Sequence, residues 1–189
     1  MIKNIIQTIF DLGISPQETW KKLSAESISS NDSFFNKFLY PLIGITSSAI
    51  FLGIIVNNGF SKIDLAIKST AVTLVTVFLG FFLASFSLKE LLSRFIERDV
   101  NVIKIQRFVG YIYALWCTLI IVQAFFPMLF FVKFVVLYFA YIVFVGAEVY
   151  MKFINRDKII FVVVSVLCLY LSPLLLEKIF LFLMPGMAK

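Results

Sequence analysis

The chain has 189 residues, 61% hydrophobic and 15% charged, with a formal net charge of +6 and a mean hydropathy of +0.99. Too few polar groups are present to cover so much apolar surface, so a soluble globule is excluded and lipid must solvate much of the chain. The basic balance calls for no nucleic acid, because polytopic membrane proteins gather Lys and Arg in cytoplasmic loops. With no histidine, the commonest transition-metal ligand and the usual general base near neutral pH are both missing.

Residues 1–33 read as cytoplasmic amphipathic, interfacial helices and a linker. Ile2, Ile5, Ile6, Ile9 and Phe10 recur at helical spacing, with Lys3, Asn4, Gln7, Thr8 and Asp11 opposite them. That pattern suits a helix lying in the membrane interface or against the protein's own spans. The polar residues interrupt the first apolar stretch, and no secretory signal peptide is expected. Gly13 marks the expected end. Ser15, Pro16 and Glu18 then restart a helix, with Pro16 where its missing N–H costs nothing and Glu18 at the third position of a capping box. Trp20 beside Lys21 and Lys22 is a candidate interface or partner anchor. A Ser-, Asn- and Asp-rich linker follows to Ser33.

Residues 34–189 hold five apolar segments, about 38–56, 65–88, 108–126, 128–150 and 159–180, each near the ~20 residues a helix needs to cross a bilayer. The fold class is therefore an all-α integral membrane protein with five transmembrane helices. Small residues punctuate the first segment (Gly44, Ser47, Ser48, Ala49, Gly53) and the second (Thr73, Thr76, Gly80, Ala84, Ser87). Such residues let helix backbones approach closely in lipid. Between the second and third segments, residues 89–107 mix Lys89, Arg94, Arg98, Lys104 and Arg107 with Glu90, Glu97 and Asp99. This reads as a short amphipathic surface helix, with Arg94 and Arg98 as candidate contacts for lipid headgroups or a partner. The third and fourth segments form a hairpin broken at Pro127, and Pro173 is expected to kink the fifth. Cys117 and Cys168 fall inside apolar runs and read as buried small hydrophobes.

With five spans, twelve of the seventeen Lys and Arg residues fall on the side of the N-terminus. The positive-inside rule then predicts a cytoplasmic N-terminus. Phosphate-binding, dinucleotide-binding, zinc-protease and nucleophile-elbow motifs are all missing from the sequence. The membrane-embedded ionisable candidates are Lys68, Lys133, Glu148 and Glu177. Lys133 lies roughly 8 Å inside its span at ~1.5 Å per residue, deep enough to want a partner, and a Lys133–Glu177 pair is expected. Glu148 is expected to pair with Lys152 one turn on.

The order of these features resembles the Yip family, five-span membrane proteins named for interaction with Ypt/Rab GTPases, in its bacterial form. The resemblance rests on Pro16 to Trp20, on Tyr40-Pro41-Leu42-Ile43-Gly44, on Val109-Gly110-Tyr111, on Phe126-Pro127, and on Leu137-Tyr138, Tyr141 and Gly146. It implies a five-span bundle with a cytoplasmic N-terminus. Eukaryotic relatives serve vesicle traffic and contact Rab GTPases and one another. This chain has a short N-terminal region without their acidic-aromatic segment, which argues against GTPase binding. The low-GC residue usage points to a bacterial inner membrane.

The expected function is non-enzymatic and cofactor-free: organising the bilayer, a homo-oligomer or other membrane proteins through the spans and interfacial helices. The alternative is a small carrier or channel using Lys68, Lys133 and Glu177 as a polar path.

Overall fold

The computed structural model describes residues 2–25, 32–96, 101–129 and 135–183, and Arg98 and Lys133 lie outside them. Among the described residues the elements are all helical. Two N-terminal helices, α1 (Ile2–Ile14) and α2 (Pro16–Ala25), are followed by α3 (Asp32–Asn58) and α4 (Ile63–Phe95). The chain continues through α5 (Val102–Phe125), α6 (Val135–Val149) and α7 (Asn155–Leu183).

Among the described residues, four stretches are long and apolar enough to cross a membrane: Asp32–Asn58, Phe60–Phe95, Val102–Phe125 and Asn155–Phe180. Within α6, Leu137–Val149 is apolar but shorter. The 15 residues of α6 cover roughly 22 Å at ~1.5 Å each, less than a ~30 Å hydrocarbon core. The expected span 128–150 is thus described as a helix only from Val135 onward.

Ring and glycine contacts give the direction of each helix. Gly110 of α5 faces Phe34, and Gly53 of α3 faces Ala124, so α3 and α5 run parallel. Helix α6 runs the other way, with Phe139 beside Trp116 and Gly146 against Phe108. Helix α7 returns, with Phe161 beside Phe108 and Tyr170 beside Trp116. Helix α4 is antiparallel to α5: Phe81 meets Tyr113, while Thr73 shares a cleft with Gln123.

Pro41 shapes the start of α3. A proline has no N–H to donate, and its ring crowds the carbonyl four residues back. The helix widens just before it into a π turn, Phe35–Leu39, in which the Tyr40 N–H donates to the Phe35 carbonyl. The wider turn accommodates the crowding without breaking the helix.

Residues 89–95 are not a separate surface helix. They complete the 33-residue α4, because Val77, Phe81, Ala84, Leu88 and Leu92 form one continuous buried stripe. Glu90 and Arg94 pair at 2.8 Å on its outer face. Helix α5 then begins at Val102 rather than near Phe108, with the Asn101 side chain accepting from the Ile103 N–H as its cap. Ile105 and Phe108 in its first turns are fully buried.

Helix α1 runs one residue past Gly13. Ile5 and Leu12 pack inward, while Ile6, Phe10 and Ile14 face outward. Pro16 occupies the first position of α2, as expected. Cys117 and Cys168 are buried and free, and α7 is continuous through Pro173.

Candidate functional site

Helices α1 and α2 are fastened to the bundle by Trp20, whose side chain is 0% exposed. Its indole stacks on Phe108 with centroids 5.1 Å apart, lies 5.1 Å from Tyr150, and meets Tyr111 edge-on at 6.0 Å. The indole N–H donates to the Ile142 carbonyl of α6 at 3.2 Å, so its polar atom is satisfied inside the protein. Trp20 is therefore a core peg and not an exposed anchor, and Pro16 is buried with it. A second tie holds α1 to α6, where the Tyr138 hydroxyl donates to the Gly13 carbonyl at 2.8 Å.

Two signature glycines make room for these rings. A Cβ on Gly146 would come within 2.7 Å of the Phe108 ring and 2.8 Å of the Trp20 ring, and one on Gly110 would strike the Phe34 ring. Tyr111 packs edge-on against Phe34 and Phe38 at 5.3 and 5.2 Å. Tyr111, Tyr138 and Gly146 thus meet around the N-terminal helices, and Gly110 makes room for the start of α3. Tyr141 is exposed beside Tyr138, and Pro127 lies in the turn after α5. Pro41 sits behind the π turn. Gly44 faces open space.

Next to the peg is a basic cleft of about 580 Å³, lined by Asn4, Thr8, Ser33, Lys37, Arg107 and Tyr111 among apolar neighbours. Arg107 is only 7% exposed.

Glu177 borders a different cleft, of about 270 Å³, between α3, α4, α5 and α7. Thr73, Thr76, Tyr113, Trp116 and Gln123 also line it. The Thr76 and Tyr113 hydroxyls are buried without a hydrogen-bond partner. Lys68 is not among the lining residues. It pairs with Asp64 at 2.7 Å, both exposed, near the start of α4. Lys133 lies outside the described residues, and with it the expected Lys133–Glu177 pair.

Glu148 pairs with Lys158, not with Lys152. After α6, Lys152 and Asn155 take left-handed backbone conformations with φ of 62° and 52°. The reversal swings Lys152 away and brings Lys158 back over the Phe144 ring, 3.5 Å from its centroid.

Several residues at these sites carried no sequence signal. Phe108 and Tyr150 are two of many aromatics, and only packing shows that they surround Trp20, with Phe34 behind them against Tyr111. Asn57, at the end of α3, has a side-chain amide that donates across helices to the Ala124 carbonyl at 3.0 Å as well as to the Gly53 carbonyl at 2.7 Å.

Among protein families, a model described as the Yip1 domain matches residues 10–176, nearly the whole bundle. No curated protein and no solved structure matches the chain.

Proposed function

The chain belongs to the Yip family, and we propose that it is a non-enzymatic, five-span member that organises the bilayer or neighbouring membrane proteins through α1 and α2. In this reading it resides in a bacterial inner membrane with the N-terminus in the cytoplasm, and its partners are lipid, further copies of itself or other membrane proteins. GTPase binding is not part of the reading.

The observation that carries it is the pinned N-terminal pair. An amphipathic helix free in the interface would turn its whole apolar face to lipid. Here Ile5 and Leu12 are spent on the bundle, and Trp20 locks the arrangement, leaving Ile6, Phe10 and Ile14 as a rigid outward ridge. A ridge held at a set height and angle presents itself the same way to every neighbour. Arg94 and Glu90 pair with each other on the exposed face near the end of α4.

A photocrosslinking residue at Phe10, and separately at Arg94, tests this in living cells. The expected result is a discrete membrane-protein adduct from Phe10 that disappears when Trp20→Ala releases α2. Adducts to lipid alone from both positions, unchanged by Trp20→Ala, would remove the partner half of the proposal.

A second reading, a small carrier, is favoured by the cleft beside Glu177. Of the three charges expected to form its path, only Glu177 borders that cleft among the described residues. Solute flux into proteoliposomes that Glu177→Ala abolishes would favour the carrier over the organiser.

A further inference from the structure

We infer that the basic cleft beside the Trp20 peg is a site for the phosphate headgroup of an anionic phospholipid, with Arg107 and Lys37 supplying the charge. The inference rests on the organiser reading for one point, that α1 and α2 lie at the membrane interface, and it names the class of lipid kept there.

Three helix faces make the cleft, and each contributes residues one turn apart. Ser33 and Lys37 come from α3, Arg107 and Tyr111 from α5, and Asn4 and Thr8 from α1. Residues four apart share a helix face. The faces of α3 and α5 are brought together by the Tyr111 ring, which packs edge-on against Phe34 and Phe38, the two rings that bracket Lys37 in sequence. Ile5, buried between Asn4 and Thr8, holds α1 alongside them.

Charge selects the ligand. Two cations line the cleft, and none of its described lining residues is acidic. Asp32, next to Ser33 in the chain, is exposed and not among them. Arg107 is buried and also interacts within the protein. Its guanidinium carries five N–H donors, enough to keep that contact and still bind phosphate oxygens. Lys37 is exposed, and its long stem lets the ammonium reach a headgroup at the mouth. The Asn4 amide can donate as well, while the Thr8 hydroxyl already donates to the Asn4 carbonyl at 2.8 Å. A zwitterionic headgroup would bring a cation for which no described lining residue offers a carboxylate.

The walls favour a lipid over free phosphate. Ile5, Leu23, Phe34 and Phe38 line the same cleft. A glycerol backbone and the first methylenes of its chains would cover them, whereas a free phosphate would leave them to water. The volume of about 580 Å³ lies within the range of small-molecule sites.

The full-length protein in a zwitterionic detergent is titrated with phosphatidylglycerol and, separately, with phosphatidylcholine of the same acyl chains, and native mass spectrometry counts the adducts. The expected result is a saturable one-to-one adduct with phosphatidylglycerol that phosphatidylcholine matches only at roughly tenfold higher concentration. Lys37→Gln should weaken the adduct roughly fivefold, and Arg107→Gln should weaken it further. If Arg107→Gln does not fold, Lys37→Gln decides, because Lys37 is exposed. Lys89→Gln, at an exposed position outside the cleft, should titrate like wild type. Soluble glycerol 3-phosphate probes the other source of the same chemistry and is expected to displace the lipid only weakly. The inference is overturned if the two lipids bind alike, or if Lys37→Gln titrates like wild type. It is overturned too if glycerol 3-phosphate binds in a Lys37-dependent way while phosphatidylglycerol does not. The Phe10 crosslink reads protein neighbours instead. Loss of the lipid with that adduct intact leaves the organiser reading standing, and loss of the adduct with lipid binding intact removes that reading alone.

Discussion

Gly146→Ala tests most directly how the N-terminal helices are held. The added methyl would lie 2.7 Å from the Phe108 ring and 2.8 Å from the Trp20 ring, and neither ring has anywhere to go. Trp20 is stacked on Phe108, tilted against Tyr150, and tied to the Ile142 carbonyl. Overpacking of this kind costs about 1–3 kcal/mol, and loss of the indole hydrogen bond adds about 1 kcal/mol. Against this, alanine favours the α6 helix over glycine by about 1 kcal/mol. The net is about 2 kcal/mol against the docked state of α2, or a roughly 30-fold larger population with α2 released. Trypsin reads this population, because Lys21 and Lys22 sit within α2 and are cut only when it opens. Cleavage of the protein in nanodiscs should accelerate by about that factor, with a red shift of the Trp20 emission. Trp20→Phe, which shortens the ring facing the new methyl, should make Gly146→Ala less damaging in the double variant than alone. Wild-type cleavage kinetics for Gly146→Ala would refute the peg.

Two further glycines predict opposite outcomes from one substitution. Gly44→Ala meets nothing and should be neutral or stabilising by up to about 1 kcal/mol, whereas Gly53→Ala overlaps the Ala124 backbone and should lower the thermal midpoint clearly. Asn57→Ala removes the bridge from α3 to the Ala124 carbonyl, and about 1 kcal/mol of stability should go with it in a denaturant titration. Lys158→Ala should destabilise more than Glu148→Gln. Lys158 is 14% exposed and also covers Phe144, while Glu148 is 64% exposed. Thermal unfolding of the two variants should place Glu148→Gln within about 1 kcal/mol of wild type.

What could be read from residue order alone was whatever depends on local chain chemistry in lipid. Apolar runs near the length of a bilayer crossing gave the segments, since unsatisfied backbone in hydrocarbon permits little besides helix. Pro16 at a helix start and a turn at Pro127 followed from the missing N–H. The family signature was legible too, because glycines and tyrosines at set places in the spans are local facts.

Tertiary structure decided which face of each helix meets which neighbour. Trp20 beside two lysines has the local look of an interfacial anchor, and only the arrival of Phe108, Tyr150 and Ile142 from distant helices makes it a peg. The charges of residues 89–95 concealed that Leu88 and Leu92 extend a stripe begun at Val77. Glu148 had a partner one turn away by spacing, but two left-handed residues delivered Lys158 instead. Hydropathy reports that a side chain prefers to leave water. It does not say whether lipid or protein receives it, and in a chain this apolar that choice rests on shape, with Gly53, Gly110 and Gly146 setting where helices and rings can meet.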